Sequence, residues 1–254
     1  MSRIDECFKN LDGGKAFSVF LMSGYPNNKT CLEIMELCSK YVDFIELGMP
    51  FSDPSADGPV IKSAGTYALD EGATTKSTIE LIKKFRELNN KTPLVWMGYY
   101  NSIFNSDIIP EIEKAGADGL LTVDLPVEEF NRLPQTNLDI IRLITPTTNK
   151  LRTEKILQNA KGFIYFVSVA GITGDKEAQD LAIKDAVEYV KTKTMLPVIV
   201  GFGIKDANKA KKICAFSDGV IVGSALVKII SENLNNKKEM FLKLEEFLSS
   251  FKSL

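Results

Sequence analysis

The 254-residue sequence contains no histidine. That absence excludes Ser-His-Asp and Cys-His triads in their usual form. It also excludes most zinc sites, because the four cysteines (Cys7, Cys31, Cys38 and Cys214) are dispersed and include no CxxC pair. Any acid–base work must fall to Asp, Glu, Tyr, Lys or Cys. Scarce cysteine fits a reducing, cytoplasmic compartment. Cys31 and Cys38 share one face of a predicted helix and read as small buried hydrophobes. The longest apolar runs, such as 196–203, are far too short to span a bilayer. Residues 1–10 carry Arg3, Asp5, Glu6 and Lys9 and have no apolar centre, unlike a secretory signal. Net charge is −2 with both signs interspersed, so no basic stripe offers itself to nucleic acid.

What is present is a rhythm. Short runs rich in Val, Ile, Leu and Phe predict strands near 16–22, 43–48, 94–97, 119–123, 140–144, 163–168, 198–200 and 219–222. They are apolar at consecutive positions, as parallel strands buried on both faces are. Helical patterns fall between them at 29–40, 59–70, 75–88, 108–115, 153–159, 181–192, 206–216 and 225–230, with a last one at 237–251. The segment 126–138 reads as a short helix plus loop. Two passages, 115–119 and 216–219, end a helix and open a strand in similar fashion, like echoes of one βα unit. Eight strands alternating with helices, in a length close to the ~250 residues usual for the fold, predict a (β/α)8 TIM barrel. The expectation is one α/β domain over residues 1–254, with extra N-terminal and loop helices. In such barrels the active site lies at the C-terminal ends of the strands.

The densest signal is Glu46-Leu-Gly-Met-Pro-Phe-Ser-Asp-Pro-Ser-Ala-Asp-Gly-Pro59. Glu46 interrupts a buried strand, where an unpaired carboxylate is costly. It either pairs with a barrel Lys or Arg or serves chemistry. Asp57 follows in a stiff proline-rich loop, as a functional carboxylate or as a cap for the next helix. Tyr165 lies within the sixth strand, as core or as a site residue. Gly201, Phe202 and Gly203 end the seventh strand, and Gly223 with Ser224 ends the eighth and opens a helix. Loops there recurrently bind phosphate, although tight turns also need glycine. A loop at 171–178, flanked by glycines, has the composition of a lid or of an ordinary polar loop.

The block from Glu46 to Pro59 resembles the signature of the tryptophan synthase alpha subunit. Further matches follow in order: Phe20 with Gly24 and Pro26, Gly98-Tyr-Tyr-Asn101, Asp124-Leu-Pro-Val-Glu-Glu129, Pro146 with Thr147, Tyr165, Val167-Ser-Val-Ala-Gly-Ile-Thr-Gly174, Gly201-Phe-Gly-Ile204 and Gly223-Ser-Ala225. The resemblance implies a lyase that cleaves indole-3-glycerol phosphate to indole and glyceraldehyde 3-phosphate in a retro-aldol reaction. It implies no cofactor in this chain, with pyridoxal phosphate confined to a beta subunit that receives the indole in an α2β2 complex. Glu46 and Asp57 become the catalytic carboxylates, with Tyr165 in support. Phe20 and Tyr99, with Met97 and Leu121, become candidates for an apolar slot around indole. Thr173 and Gly174 join the substrate site, with Thr173 reaching toward Asp57. Lys62 and Gly65 depart from the family pattern in a segment expected to face the partner. Other readings stay open: a free-standing indole-producing lyase, a barrel that only activates a beta subunit, and a different phosphate-binding barrel.

Overall fold

The computed structural model describes residues 1–104, 107–168, 176–201, 203–252 and 254; of residues 176–179 it describes the backbone only. Eight parallel strands close on themselves in sequence order: β1 (Ala16–Met22), β2 (Phe44–Gly48), β3 (Leu94–Gly98), β4 (Gly119–Thr122), β5 (Asp139–Ile144), β6 (Ile164–Val167), β7 (Val198–Gly201) and β8 (Gly219–Val222). The expected (β/α)8 barrel is therefore observed. Its strands are almost wholly buried, which is why they read as unbroken apolar runs.

The helices are α1 (Arg3–Asn10), α2 (Asn28–Cys38), α3 (Pro59–Asp70), α4 (Thr75–Leu88), α5 (Ile108–Ala115), α6 (Lys150–Leu157), α7 (Lys176–Lys191), α8 (Ala207–Cys214), α9 (Ser224–Glu232) and α10 (Lys237–Ser249). The 126–138 stretch contains a 3-10 helix at Val127–Arg132, where a short helix is expected. Helix α1 plugs the N-terminal end of the barrel. Ser2 caps it, accepting from the Asp5 amide at 3.1 Å, and also donates to Asp139 at 2.5 Å. Phe8 packs on Phe44 and Phe163, whose own rings are 5.0 Å apart across the barrel floor. All four cysteines are free thiols; Cys31 and Cys38 are buried as expected, and so is Cys214.

The echo seen in the sequence has a physical basis. Asp43, Asp118 and Asp218 each stand one residue before an even-numbered strand. Each donates its amide to the carbonyl of a residue on the preceding strand, namely Phe17, Leu94 and Val198. Each carboxylate then accepts the amide of that same residue, at 2.7, 2.8 and 2.9 Å. Three adjacent strand pairs are thus clamped at their N-terminal ends by the same two-bond ring, leaving those buried amides satisfied.

Candidate active site

Register fixes which side chains enter the barrel. Phe20 pairs with Glu46 and Glu46 with Val95, so these three point the same way. One row nearer the C-terminal end, Gly48 pairs with Met97 and Met97 with Leu121. A methyl group at Gly48 would lie 2.3 Å from the Phe20 ring, so Phe20 leans over this row and glycine is required beneath it. Glu46 therefore points into the barrel one row below Met97 and Leu121, beside Phe20; these are three of the four side chains named as candidates around an apolar ring.

Glu46 is 0% exposed, and neither carboxyl oxygen has a hydrogen-bond partner. Among the described residues no Lys or Arg pairs with it. Burial pushes its pKa well above the ordinary 4.5, because charge is penalised in a dry surrounding and nothing offsets the penalty. The group keeps its proton to higher pH than an exposed glutamate would.

Tyr165 lies on the far wall and is 4% exposed. A methyl at Gly201 would lie 2.1 Å from its hydroxyl, so the phenol crosses directly over Gly201. Burial, then the charges of Glu46 and Asp57, raise the Tyr165 pKa well above 10, which puts its hydroxyl in the field of both carboxylates. Gly201 was read as a phosphate loop; the close approach of Tyr165 is a different reason for glycine at that position.

Asp57 precedes α3, but the cap position belongs to Gly58, which makes no side-chain cap bond. The capping alternative therefore fails. Asp57 instead accepts from the Tyr99 hydroxyl at 3.2 Å, and that hydroxyl accepts from the Ala56 amide at 2.9 Å. Tyr99 is steadied by Phe51, stacked at 4.9 Å. Tyr99 was expected as a wall of the slot; its place in the structure is as a strut that orients the loop carboxylate. Burial raises the Asp57 pKa, while the Tyr99 bond and the charge of Lys62 lower it. Phe51 and the effect of Lys62 on Asp57 were not legible in advance, since each depends on contacts made only after folding.

At the opposite rim Gly203 has φ +74° with open space around its α-carbon, a conformation that favours glycine. Gly223 caps α9 without a side-chain bond, leaving the amides at the start of that helix, beginning with Ser224, free to meet an anion. Thr173, Gly174 and Phe202, with most of the 171–178 loop, lie outside the described residues. Among the described residues no group of His, Cys, Asp and Glu could hold a metal ion, and no helix is long and apolar enough to cross a membrane.

The fold defines a (β/α)8 barrel, with Glu46 in its interior and Asp57 in the loop after β2. The comparisons then give the family. The tryptophan synthase alpha chain model matches residues 8–254. The structure of tryptophan synthase subunit alpha from Legionella pneumophila is similar, with 33% identity over 100% of this chain and 98% of that one and a TM-score of 0.90. The tryptophan synthase α2β2 complex of Pyrococcus furiosus contains a chain 31% identical over 94% of this chain and 98% of that one, with a TM-score of 0.84. The chain belongs to the tryptophan synthase alpha chain family.

Proposed function

We propose that Glu46, Asp57 and Tyr165 carry the family's reaction in this chain: retro-aldol cleavage of indole-3-glycerol phosphate to indole and glyceraldehyde 3-phosphate. The carrying observation is Glu46, a carboxyl group kept dry and unpaired inside a barrel. Cleavage needs a proton added at indole C3, so that the ring leaves as neutral indole. It also needs a proton removed from the neighbouring hydroxyl, which becomes the aldehyde. A carboxyl that holds its proton can supply the first, and the resulting carboxylate can accept the second, so protons balance over the turnover. The ring nitrogen becomes cationic once C3 is protonated. Asp57, oriented by Tyr99, is suited to that N–H as a fixed negative charge. Tyr165 lies near enough to both carboxylates to position substrate between them. Phe20, Met97 and Leu121 fit the flat indole ring. Gly203, Gly223 and Ser224 suit the phosphate, with the N-terminus of α9 supplying amides and a favourable dipole. Gly201 serves the site by admitting Tyr165. Phe202, Thr173 and Gly174 keep the roles of phosphate loop and lid.

We assign no cofactor to this chain; pyridoxal phosphate belongs to the beta subunit. One domain over residues 1–254 and a cytoplasmic location complete the reading. The partner is a beta subunit in an α2β2 assembly, as in the Pyrococcus furiosus complex. The covered surface would include the loops 52–61, 99–104 and 126–133 around the barrel mouth, where Phe104 is 64% exposed.

The test is indole release from indole-3-glycerol phosphate by wild type, Glu46→Gln and Asp57→Asn, with and without a beta subunit. Slow wild-type turnover that rises with the partner and is lost in both variants is expected. Near-normal indole production by Asp57→Asn would overturn its assigned role. Absence of turnover under either condition would leave a barrel of this family that only activates a beta subunit.

A further inference from the structure

Six buried side-chain atoms lack a hydrogen-bond partner among the described residues. Two are the oxygens of Glu46, which face the barrel interior. The other four are Trp96 Nε1, Thr122 Oγ1, Arg142 Nε and Arg142 Nη2, and they form one row on the opposite face of the sheet. Gly98 pairs with Thr122 across β3 and β4. Leu121 pairs with Ile141 across β4 and β5, so Thr122 and Arg142, each one residue further on, are neighbours on the outer face. Trp96 Nε1 would lie 3.2 Å from a methyl at Gly98, which places it beside Thr122's register partner. Every orphan in the row is able to donate a hydrogen bond.

Arg142 dominates the row. It is 7% exposed, and its guanidinium carbon lies 3.0 Å from the centroid of the Phe130 ring. The ring holds the guanidinium plane, and the unpaired atoms Nε and Nη2 are the edge that grips a carboxylate with two parallel bonds. The covering segment Val127–Arg132 contains two acids, but Glu128 pairs with Arg152 and Lys155 and Glu129 with Arg132. A buried guanidinium without an acceptor is costly, so the geometry calls for an acceptor from outside these contacts. We propose that Arg142, Thr122 and Trp96 form a buried receptor for a small carboxylate, on the outer face of β3–β5 and separate from the barrel interior. Burial pushes the Arg142 pKa down to about 10, which still leaves a cation at neutral pH. The receptor rests on these three strands and Phe130 and stands whether or not the catalytic assignments do.

Trp96 is the chain's one tryptophan, so it reports on the row directly. Formate, the smallest carboxylate, is the probe, with sodium chloride at matched concentration as the control. The expected result is a saturable change in Trp96 emission and a Tm rise of a few degrees with formate in wild type. Both responses should be lost in Arg142→Met and strongly weakened in Arg142→Lys, which keeps the charge but not the fork. Formate bound at the catalytic mouth would act on all three proteins alike, so only the difference between them counts. An equal response in wild type and Arg142→Met, or Trp96 emission unmoved by formate in wild type, would overturn the proposal; the second result would mean that water alone satisfies the row.

Discussion

Asp118 and Glu46 are both buried carboxyl groups on the same barrel, yet their surroundings are opposite. Asp118, at the N-terminal end, bonds Arg3 and Arg86 at 2.6 Å each and the Leu94 amide at 2.8 Å. Glu46 has no hydrogen-bond partner among the described residues. Asp118 is part of a set of struts that knit strand ends together, and its charge is repaid several times over. Glu46 is held dry at a cost to the fold, and burial lets it keep its proton to higher pH. The two carboxyl groups teach a division of labour: Asp118 knits strand ends together, while Glu46 is left without hydrogen-bond partners among the described residues.

The contrast can be broken at several points. Replacing Glu46 with Gln should lower indole release by about 10²–10⁴-fold, the usual worth of a positioned acid or base. Asp118→Ala should instead cost about 3–5 kcal/mol of stability in denaturant unfolding, because it leaves the largely buried Arg86 guanidinium with backbone acceptors but no counter-charge. Gly201→Ala should cost about 1–3 kcal/mol and reduce turnover, since the new methyl displaces the Tyr165 phenol. A milder probe is Tyr99→Phe. It removes the bond that lowers the Asp57 pKa, so Asp57 would become protonated at higher pH and the acid limb of the indole-release profile should move upward. An unmoved limb would separate Asp57 from the rate.

The barrel was legible because its strands are buried on both faces and therefore continuous in their apolar character, while turn residues and amphipathic helices mark the gaps. Glu46 was legible by the same logic, as a lone charge inside such a run. Arg142 carries an identical signal in 140–144 and was passed over, because no motif drew attention to it. Helix edges moved by a few residues: 29–40 became Asn28–Cys38, and 181–192 became Lys176–Lys191. Caps and frayed ends decide such limits more than periodicity does. The harder losses were long-range. Gly201 looked like a phosphate turn because nothing local announces a tyrosine from another strand lying across it. Tyr99 looked like a slot wall because its bond to Asp57 joins residues 42 positions apart. The plug formed by α1 was likewise hidden, since Phe8 meets Phe44 and Phe163 only when the barrel closes.

The most direct test of a carboxyl held unpaired for chemistry is the stability of Glu46→Gln against wild type across pH, read beside indole release. Ionising Glu46 in the fold is penalised, so the penalty is absent below the ordinary value of 4.5, grows as pH rises from there to the elevated folded-state pKa, and levels off above it. The expected variant is inactive, unfolds like wild type at low pH, and becomes the more stable protein as pH rises. A variant that is less stable than wild type at neutral and alkaline pH, or that still releases indole at the wild-type rate, would contradict it.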